Sequence, residues 1–259
     1  MIRVVLMGAA GRMGRAVESA AAGCGDLEIA ARVDVRANFP ASAGVWSDDV
    51  AQVVKRGDVV VDFSGPAGAR AAATACASAG AALVSGSTGL SVADEAVLRE
   101  LAETVPVLRA SNFSLGVAAL RAALRAALAA VPGSWDVEIV ERHHRLKKDS
   151  PSGTALTLAA DVRAARALPA AALRQGRVGL AGPRPAGEVG MHAVRGGTWV
   201  GDHQVLLAGE GEWLEFRHVA QDRAAFAHGA LAAVRFVATA APGTYTLEDV
   251  LSGPGPRSR

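Results

Sequence analysis

The chain has 259 residues, with 27 basic and 25 acidic side chains, a net charge of +2 and 4% aromatic residues. A nucleic-acid-binding surface needs clustered basic residues, and the scattered arginines of this chain give that class no support. No apolar run approaches the roughly 18–20 residues of a membrane-spanning helix, and the N-terminus lacks the pattern of a signal peptide. We therefore expect a cytoplasmic protein in which Cys24 and Cys76, neither of them in a CxxC motif, are free thiols.

Short apolar segments separated by helix-compatible segments make up the first part of the chain. The first of them is followed by a glycine-rich turn and an alanine-rich helix that ends near Ala22. Apolar strands that alternate with helices are typical of a parallel sheet covered on both faces. The predicted strands are Arg3–Met7, Leu27–Val33, Val59–Phe63, Ala82–Ser85 and Val105–Leu108.

The pattern changes near residue 114, which we take as a domain boundary. The elements predicted after it are a helix over Ser114–Val131, a strand over Trp135–Val140, a helix from about Ser152, antiparallel sheet from Val189 to Val219 with a turn at Gly209–Glu212, and a helix over Arg223–Ala240. The tail Ser252–Arg259, rich in Gly, Pro and Ser, is predicted to be disordered. The predicted domains are therefore 1–113 with 224–259, and 114–223.

A glycine-rich loop, Gly8-Ala9-Ala10-Gly11-Arg12-Met13-Gly14, follows the first strand and opens a helix. Gly8 permits a tight turn, Gly11 lets backbone N–H groups approach a pyrophosphate, and Gly14 lets the helix pack close to the strand. The spacing differs by one from the usual G-x-G-x-x-G, so the loop alone could be an ordinary turn.

Asp34 strengthens the interpretation of that loop. It ends the second strand, 20 positions beyond Gly14, where a carboxylate can accept both hydroxyls of an adenosine ribose. Together the loop and Asp34 predict an α/β fold with a Rossmann-type dinucleotide-binding domain and an inserted α+β sheet domain. Asp34 would repel the 2′-phosphate of NADP, whereas Arg12 and Arg36 could offset this, so NADH and NADPH both stay open.

Two later loops follow strands of the same predicted sheet. Gly86-Ser87-Thr88-Gly89 follows the fourth strand, and Ala110-Ser111-Asn112-Phe113 follows the fifth. Ligands of open α/β sheets bind outside the carboxyl ends of the strands, so both loops could border a nicotinamide ring. Gly, Ser and Asn also favour ordinary turns, and this second interpretation stays open.

The segment from Glu138 to Ala155 is the richest in reactive side chains. His143 is a candidate general acid because the ordinary pKa of histidine, about 6.5, lies near working pH, and Lys147 follows four residues later. Ser150 or Ser152 can cap the next helix, with Pro151 in its first turn. The N–H groups of Gly153 and Thr154 then form an anion site for which a carboxylate is a natural occupant. A zinc site would need a third ligand at suitable spacing, and the segment has none.

This segment resembles the signature of the 4-hydroxy-tetrahydrodipicolinate reductase (dihydrodipicolinate reductase) family. The resemblance extends over nearly the whole chain, although Leu146, Ser111 and Ser87 replace residues that are common in the family. It rests on Glu141, His143, Lys147, Asp149 and Pro151–Ala155, and on Gly8–Gly14, Asp62-Phe63, Gly86–Gly89, Asn112–Ser114, Arg195–Gly197 and Gly201–His203.

The resemblance implies a reductase of lysine and diaminopimelate biosynthesis that uses NADH or NADPH and no metal, and that forms a homotetramer. It implies that His143 is the proton donor, that Lys147 is its catalytic partner, and that His144, Gly153 and Thr154 bind the substrate carboxylates. The implied cofactor residues are Gly8, Ala9, Ala10, Gly11, Arg12, Met13, Asp34, Gly86, Ser87, Thr88, Ala110, Ser111, Asn112 and Phe113. A reductase for another small imino or dicarboxylic acid, or a redox sensor that binds NAD without turnover, are the alternatives.

Overall fold

The computed structural model describes residues 1–39 and 44–253 of the chain. The chain divides into two compact units, one of Met1–Leu115 with the segment from Arg223 onward, and one of Gly116–Asp222. The last six residues of the predicted disordered tail lie outside the described residues, and its first residue, Ser252, is helical. Within the described ranges, no helix is long and apolar enough to cross a membrane.

Strands and helices alternate through most of the first half of the chain, and strands predominate in much of the second. In chain order the elements are β1 (Ile2–Met7), α1 (Arg12–Ala21), β2 (Leu27–Val33), β3 (Trp46–Ser47), β4 (Val59–Asp62), α2 (Pro66–Ala79), β5 (Ala82–Ser85), α3 (Val92–Leu101), β6 (Pro106–Arg109), α4 (Leu115–Ala130), β7 (Asp136–His143), α5 (Gly153–Ala165), β8 (Leu173–Gln175), β9 (Val189–Arg195), β10 (Gly201–Ala208), β11 (Trp213–Ala220), α6 (Ala224–Val237), β12 (Gly243–Tyr245) and α7 (Leu247–Ser252).

The first unit is built on a seven-stranded sheet in the order β12-β6-β5-β4-β1-β2-β3. Every strand pair in it is parallel. Strands β4 and β5 are buried at every residue, as expected where both faces of a sheet are covered. The predicted parallel α/β architecture is confirmed, and helix α6, from the C-terminal part of the chain, packs within this unit, against α1.

The second unit contains a five-stranded mixed sheet in the order β11-β10-β7-β9-β8. The predicted antiparallel pairing is correct for β10 with β11, which are joined through Gly209–Glu212. It is wrong for β9, which runs parallel to β7 and to β8. The reason is that β7 lies between β9 and β10, so two strands that are close in sequence are not neighbours in the sheet.

One face of this second sheet forms the core of the unit. Helices α4 and α5 contribute Leu120, Leu124, Leu128, Leu158 and Val162 to it, and the strands contribute residues such as Val137, Ile139, Val205 and Leu207. Side chains alternate along a strand, so the face that carries Val137 and Ile139 also carries Glu141 and His143. The sequence pattern predicts that this strand ends at Val140, and its continuation to His143 places the candidate acid on a strand rather than a loop.

Candidate active site

The glycine loop closes tightly over the end of β1. Gly8 has a φ of +70°, and a Cβ there would lie 2.6 Å from the carbonyl oxygen of Phe63. A Cβ at Gly14 would overlap the backbone of Gly8 and Ala9, so this position needs glycine for the packing of α1. A Cβ on Gly11, just before α1, would meet only the Gly8 carbonyl, at 3.0 Å. Because Gly11 has no side chain, the N–H groups at the start of α1 stay accessible.

Asp34 lies beside the same loop. One carboxylate oxygen accepts the backbone N–H of Ala10 at 2.9 Å, and the other accepts Val35 N–H and Asn38 Nδ2, each at 2.8 Å. A cavity of about 630 Å³ extends between the loop, Asp34 and Ser64. Its small lining residues and single carboxylate fit a dinucleotide, with phosphates at the loop and a ribose at the acid.

Arg12 and Arg36, the two arginines that could offset the charge of Asp34, both lie at the surface. Arg36 is exposed and pairs with Asp48 at 3.2 Å, while Arg12 is exposed in the first turn of α1. Met13 is half-buried in the same turn, and Ala9 is buried. The seven-residue loop therefore divides into residues that face solvent and residues that pack into the unit.

The loop after β5 is shaped by two phenyl rings. Phe63 and Phe113 pack edge to face with centroids 5.4 Å apart, and a Cβ at Gly86 would overlap Phe63 and lie 2.9 Å from the Phe113 ring. Ser87 is buried and accepts the backbone N–H of Gly65 at 2.8 Å, whereas Thr88 is exposed.

The loop after β6 is tied to its neighbours through its backbone. Ala110 donates its N–H to Ser85 O at 3.1 Å, and Asn112 Oδ1 accepts Ser114 N–H at 2.8 Å, while Ser111 is exposed. Asp62 adds a contact that the sequence did not predict, since its buried carboxylate accepts the hydroxyl of Ser85 at 2.8 Å. Both predicted loops are thus fixed at the carboxyl ends of their strands.

In the second unit, His143 is held by a buried carboxylate. His143 Nδ1 lies 2.6 Å from Glu141 Oε2, and Glu141 is wholly buried. Glu141 also accepts both terminal nitrogens of Arg195 at 2.7 Å and the backbone N–H of Ser152 at 3.0 Å. Burial alone would raise the pKa of Glu141, but these hydrogen bonds bring that pKa below its ordinary value, so the group is ionised.

His143 itself is 7% exposed. Burial lowers the pKa of His143, and the hydrogen bond and charge of Glu141 oppose that effect without cancelling it. His203 packs edge-on against His143, with ring centroids 5.1 Å apart, and its Nε2 lies 3.1 Å from Ser152 Oγ. Burial, and then the neighbouring His143, lower the pKa of His203 to about 4, so it is neutral near pH 7.

Lys147 and Asp149 lie in the loop after β7. Lys147 Nζ is 2.8 Å from each oxygen of Asp149. Arg195 reaches the same loop by donating to the backbone carbonyl of Asp149 at 2.7 Å. His144 is half-buried and donates its backbone N–H to Trp199 O at 2.8 Å. One guanidinium therefore ties the partner of His143 to the loop that carries Lys147.

Helix α5 begins beside this cluster. Ser152 is its N-cap and accepts the N–H of Ala155 at 3.2 Å, so the prediction that Ser150 could cap is wrong. Pro151 precedes the cap and is not in the first turn, because the helix starts at Gly153. Gly153 is exposed, with no atom within 4 Å of a Cβ built on it. A carboxylate could therefore approach the first N–H groups of α5, those of Gly153 and Thr154.

Arg195 and His203 belong to the cluster around His143, and the sequence alone did not reveal their contacts there. The register of the sheet places Arg195 opposite His143 and His203 opposite Glu141. Each of them occupies an inward-facing position on a strand, where a charged or imidazole side chain is unusual, and this was the available sequence signal. Their partners, Glu141 and Ser152, are about fifty residues away in the chain. Across residues 1–39 and 44–253, no three His, Cys, Asp or Glu side chains are grouped as metal ligands would be.

Comparison with known proteins identifies the family. A model described as dihydrodipicolinate reductase, N-terminus, matches residues 2–113, and one described as dihydrodipicolinate reductase, C-terminus, matches residues 116–251. The chain belongs to the dihydrodipicolinate reductase family. Its first unit is thus the dinucleotide-binding domain of an NAD(P)-dependent oxidoreductase family.

Relatives and solved structures of the dihydrodipicolinate reductase family match over almost the whole chain. A 4-hydroxy-tetrahydrodipicolinate reductase from Thermomicrobium roseum is 47% identical, over 97% of this chain and 100% of its own length. One from Caulobacter vibrioides is 40% identical, over 96% of this chain and 97% of its own. The dipicolinate-bound dihydrodipicolinate reductase from Paenisporosarcina sp. TG-14 has a TM-score of 0.79 at 26% identity, over 96% and 99% of the two chains.

Proposed function

We propose that this chain catalyses the NAD(P)H-dependent reduction of (2S,4S)-4-hydroxy-2,3,4,5-tetrahydrodipicolinate to 2,3,4,5-tetrahydrodipicolinate in lysine and diaminopimelate biosynthesis. The reaction consumes one hydride and one proton and releases one water. The observation that carries the proposal is that His143, held by a buried carboxylate, lies beside the open N-terminus of α5. A proton donor next to an anion site suits reduction of a small dicarboxylate, and the family match supports the same chemistry.

The first unit would hold the coenzyme, which supplies the hydride when bound. We assign its pyrophosphate to Gly8–Met13, its adenosine ribose to Asp34, and its nicotinamide end to Gly86–Thr88 and Ala110–Phe113. The small residues of the glycine loop and the cavity beside Asp34 support the first two assignments. Asp34 favours NADH, because its carboxylate would repel the negatively charged 2′-phosphate of NADPH.

The second unit would bind and protonate the substrate. We assign the carboxylates of the substrate to His144, Gly153 and Thr154, with Lys147 supplying a positive charge nearby. His143 would donate the proton through Nε2, since Nδ1 is engaged by Glu141. Lys147 would support that transfer, because its ammonium is held in the loop next to His143 by Asp149.

We also propose that the chain assembles as a homotetramer in the cytoplasm. The face of the second sheet opposite α4 and α5 exposes apolar side chains, among them Trp213 at 68%, Val219 at 51% and Val194 at 39%. Exposed apolar surface of this kind marks association sites. The free thiols Cys24 and Cys76 suit a reducing compartment. Light scattering should give four protomers, and Trp213→Glu should lower that number, whereas Val92→Glu, on α3 of the first unit, should not.

The central test is oxidation of NADH or NADPH, measured separately, by the purified chain with the hydroxy-tetrahydrodipicolinate substrate. Turnover should occur, and His143→Ala should reduce kcat by roughly 10²–10⁴-fold, the contribution of a general acid. His192→Ala, on β9 of the same sheet, is the matched control and should keep its activity. Coenzyme binding without turnover would contradict the proposal, as would faster turnover of another imino or dicarboxylic acid.

A further inference from the structure

Glu141 makes an unusual set of contacts for a wholly buried carboxylate. Its two oxygens accept four hydrogen bonds, from both terminal nitrogens of Arg195, from the backbone of Ser152 and from the ring of His143. A buried charge is tolerated only when it is paired and hydrogen-bonded, and here both conditions are met. Arg195 therefore keeps Glu141 negatively charged in the interior.

The charge of Glu141 determines which ring nitrogen of His143 carries a hydrogen. An ionised carboxylate only accepts hydrogen bonds, so His143 Nδ1, 2.6 Å away, must donate. The other nitrogen, Nε2, is then the position that gains and loses a proton. A Cβ built on Gly201 would lie 3.2 Å from Nε2, so glycine at that position of β10 leaves room beside this atom.

We propose that Glu141 is a positioning residue for the reduction: it holds His143 in the Nδ1-protonated form, with Arg195 as its counter-charge, so that Nε2 delivers the proton. The inference rests on the proposed function and assigns roles to Glu141 and Arg195 within it. In the transfer step the Nε2–H bond of the imidazolium breaks and the proton goes to the substrate. The neutral ring keeps its Nδ1–H on Glu141, and Nε2 is reprotonated from water.

The groups that face His143 explain why such a counter-charge matters. Lys147 and Arg195 both disfavour a positive charge on the ring, as burial does, and His203 from β10 is neutral near pH 7. Glu141 is the charged neighbour that favours the imidazolium. Without its charge, the proton-donating form of His143 should be lost at a lower pH.

Strand β7 also carries Glu138, which provides a matched control for Glu141. Glu138 accepts His192 Nε2 at 2.8 Å and Arg184 Nε at 3.0 Å, so it also joins a histidine to an arginine. It lies on the opposite face of β7 from Glu141, and we give it no catalytic role. A Glu→Gln substitution at each position removes one carboxylate charge from a comparable cluster.

The experiment compares Glu141→Gln with Glu138→Gln by three readouts: the tautomer of the His143 ring, kcat and the pH profile of kcat/KM. Nitrogen-15 NMR of the histidine rings in the coenzyme-free protein should show His143 protonated at Nδ1 in the wild type and in Glu138→Gln, but not held there in Glu141→Gln. The kcat of Glu141→Gln should fall by roughly 10²–10⁴-fold, the range for a disabled general acid. The alkaline limb of its kcat/KM profile should move down by about one pH unit or more.

Glu141→Gln leaves the positive charge of Arg195 without its counter-charge in the interior, which destabilises the fold. A second variant therefore separates loss of the Glu141 charge from misfolding. Glu141→Gln/Arg195→Met removes both charges together, which is tolerated better than breaking one buried pair. Its ring tautomer should change as in the single variant, whereas its alkaline limb should move less, because Arg195 also disfavours the imidazolium. An unchanged tautomer in both variants, together with an unmoved alkaline limb in Glu141→Gln, would overturn the proposal. A wild type with the Nδ1–H tautomer but no turnover of the substrate would instead refute the proposed function.

Discussion

The ammonium of Lys147 lies 2.8 Å from each carboxylate oxygen of Asp149, two residues further along the same loop. The pair is placed near the surface, since the Asp149 side chain is 60% exposed. Such pairs contribute only about 0–1 kcal/mol to stability. The pair therefore fixes the position of the Lys147 ammonium more than it stabilises the fold.

The first prediction concerns the charge of Lys147. Lys147→Met should lower kcat/KM for the substrate by roughly 10–10²-fold, because a hydrogen bond to a charged group contributes about 1.5–3 kcal/mol. The melting temperature should change little. Steady-state kinetics with saturating coenzyme checks this, with Lys148→Met as the neighbouring control. Equal losses in the two variants would show that Lys147 acts only through general surface charge.

The second prediction tests the anion site at the start of α5. Thr154→Val keeps the shape of the side chain and removes its hydroxyl, so KM for the substrate should rise on the order of tenfold while kcat changes less. Thr157→Val is the control, because Thr157 lies on the next turn and its hydroxyl donates to Gly153 O at 3.0 Å. An unchanged KM in Thr154→Val would place the substrate carboxylates elsewhere.

The sequence predicted the first unit better than the second, and the physical reason is the kind of strand in each. Strands β2 and β5 have the predicted bounds, and β5 is buried at every residue, as expected of a short apolar run in a parallel sheet. The predicted β7 stops short at Val140, because Glu141 and His143 interrupt its apolar pattern while remaining on the buried face. Their burial depends on Arg195, more than fifty residues away, which no local pattern contains.

The candidate site was predicted unevenly for the same reason. His143 and Gly153 could be singled out because they lie in one short segment. Arg195 and His203 reach the site through strand register, and the register depends on β7 lying between β9 and β10. Strands of two or three residues, such as β3 and β12, are too short for any periodicity to reveal.

The third prediction concerns coenzyme preference. Asp34→Asn removes the negative charge at the proposed ribose site, so KM for NADH should rise roughly 10-fold or more and the preference should shift towards NADPH. Asp48→Asn is the companion variant, since it frees Arg36 from its 3.2 Å ion pair without touching the Asp34 carboxylate. It should improve kcat/KM for NADPH and leave that for NADH unchanged. An equal change in KM for NADH and NADPH in Asp34→Asn would argue against contact between Asp34 and the adenosine ribose.

The last prediction is a pH dependence of stability that arises from His203. Burial and the neighbouring His143 lower the pKa of His203 to about 4 in the folded protein, against about 6.5 in an unfolded chain. Between these values the unfolded state binds a proton that the folded state does not, so the free energy of unfolding falls as pH drops from 6.5 towards 4. The contribution of His203 is about 3 kcal/mol over that window and constant above it.

His203→Gln removes this titration. The free energy of unfolding should then fall by about 1–3 kcal/mol less than in the wild type between pH 7 and pH 4.5. Some dependence should remain, because burial also lowers the pKa values of His143 and His218. Denaturant unfolding at fixed protein concentration across this range measures the effect. His228→Gln, at an exposed position of α6, is the control and should follow the wild-type curve. A wild-type curve for His203→Gln as well would mean that folding does not lower the pKa of His203.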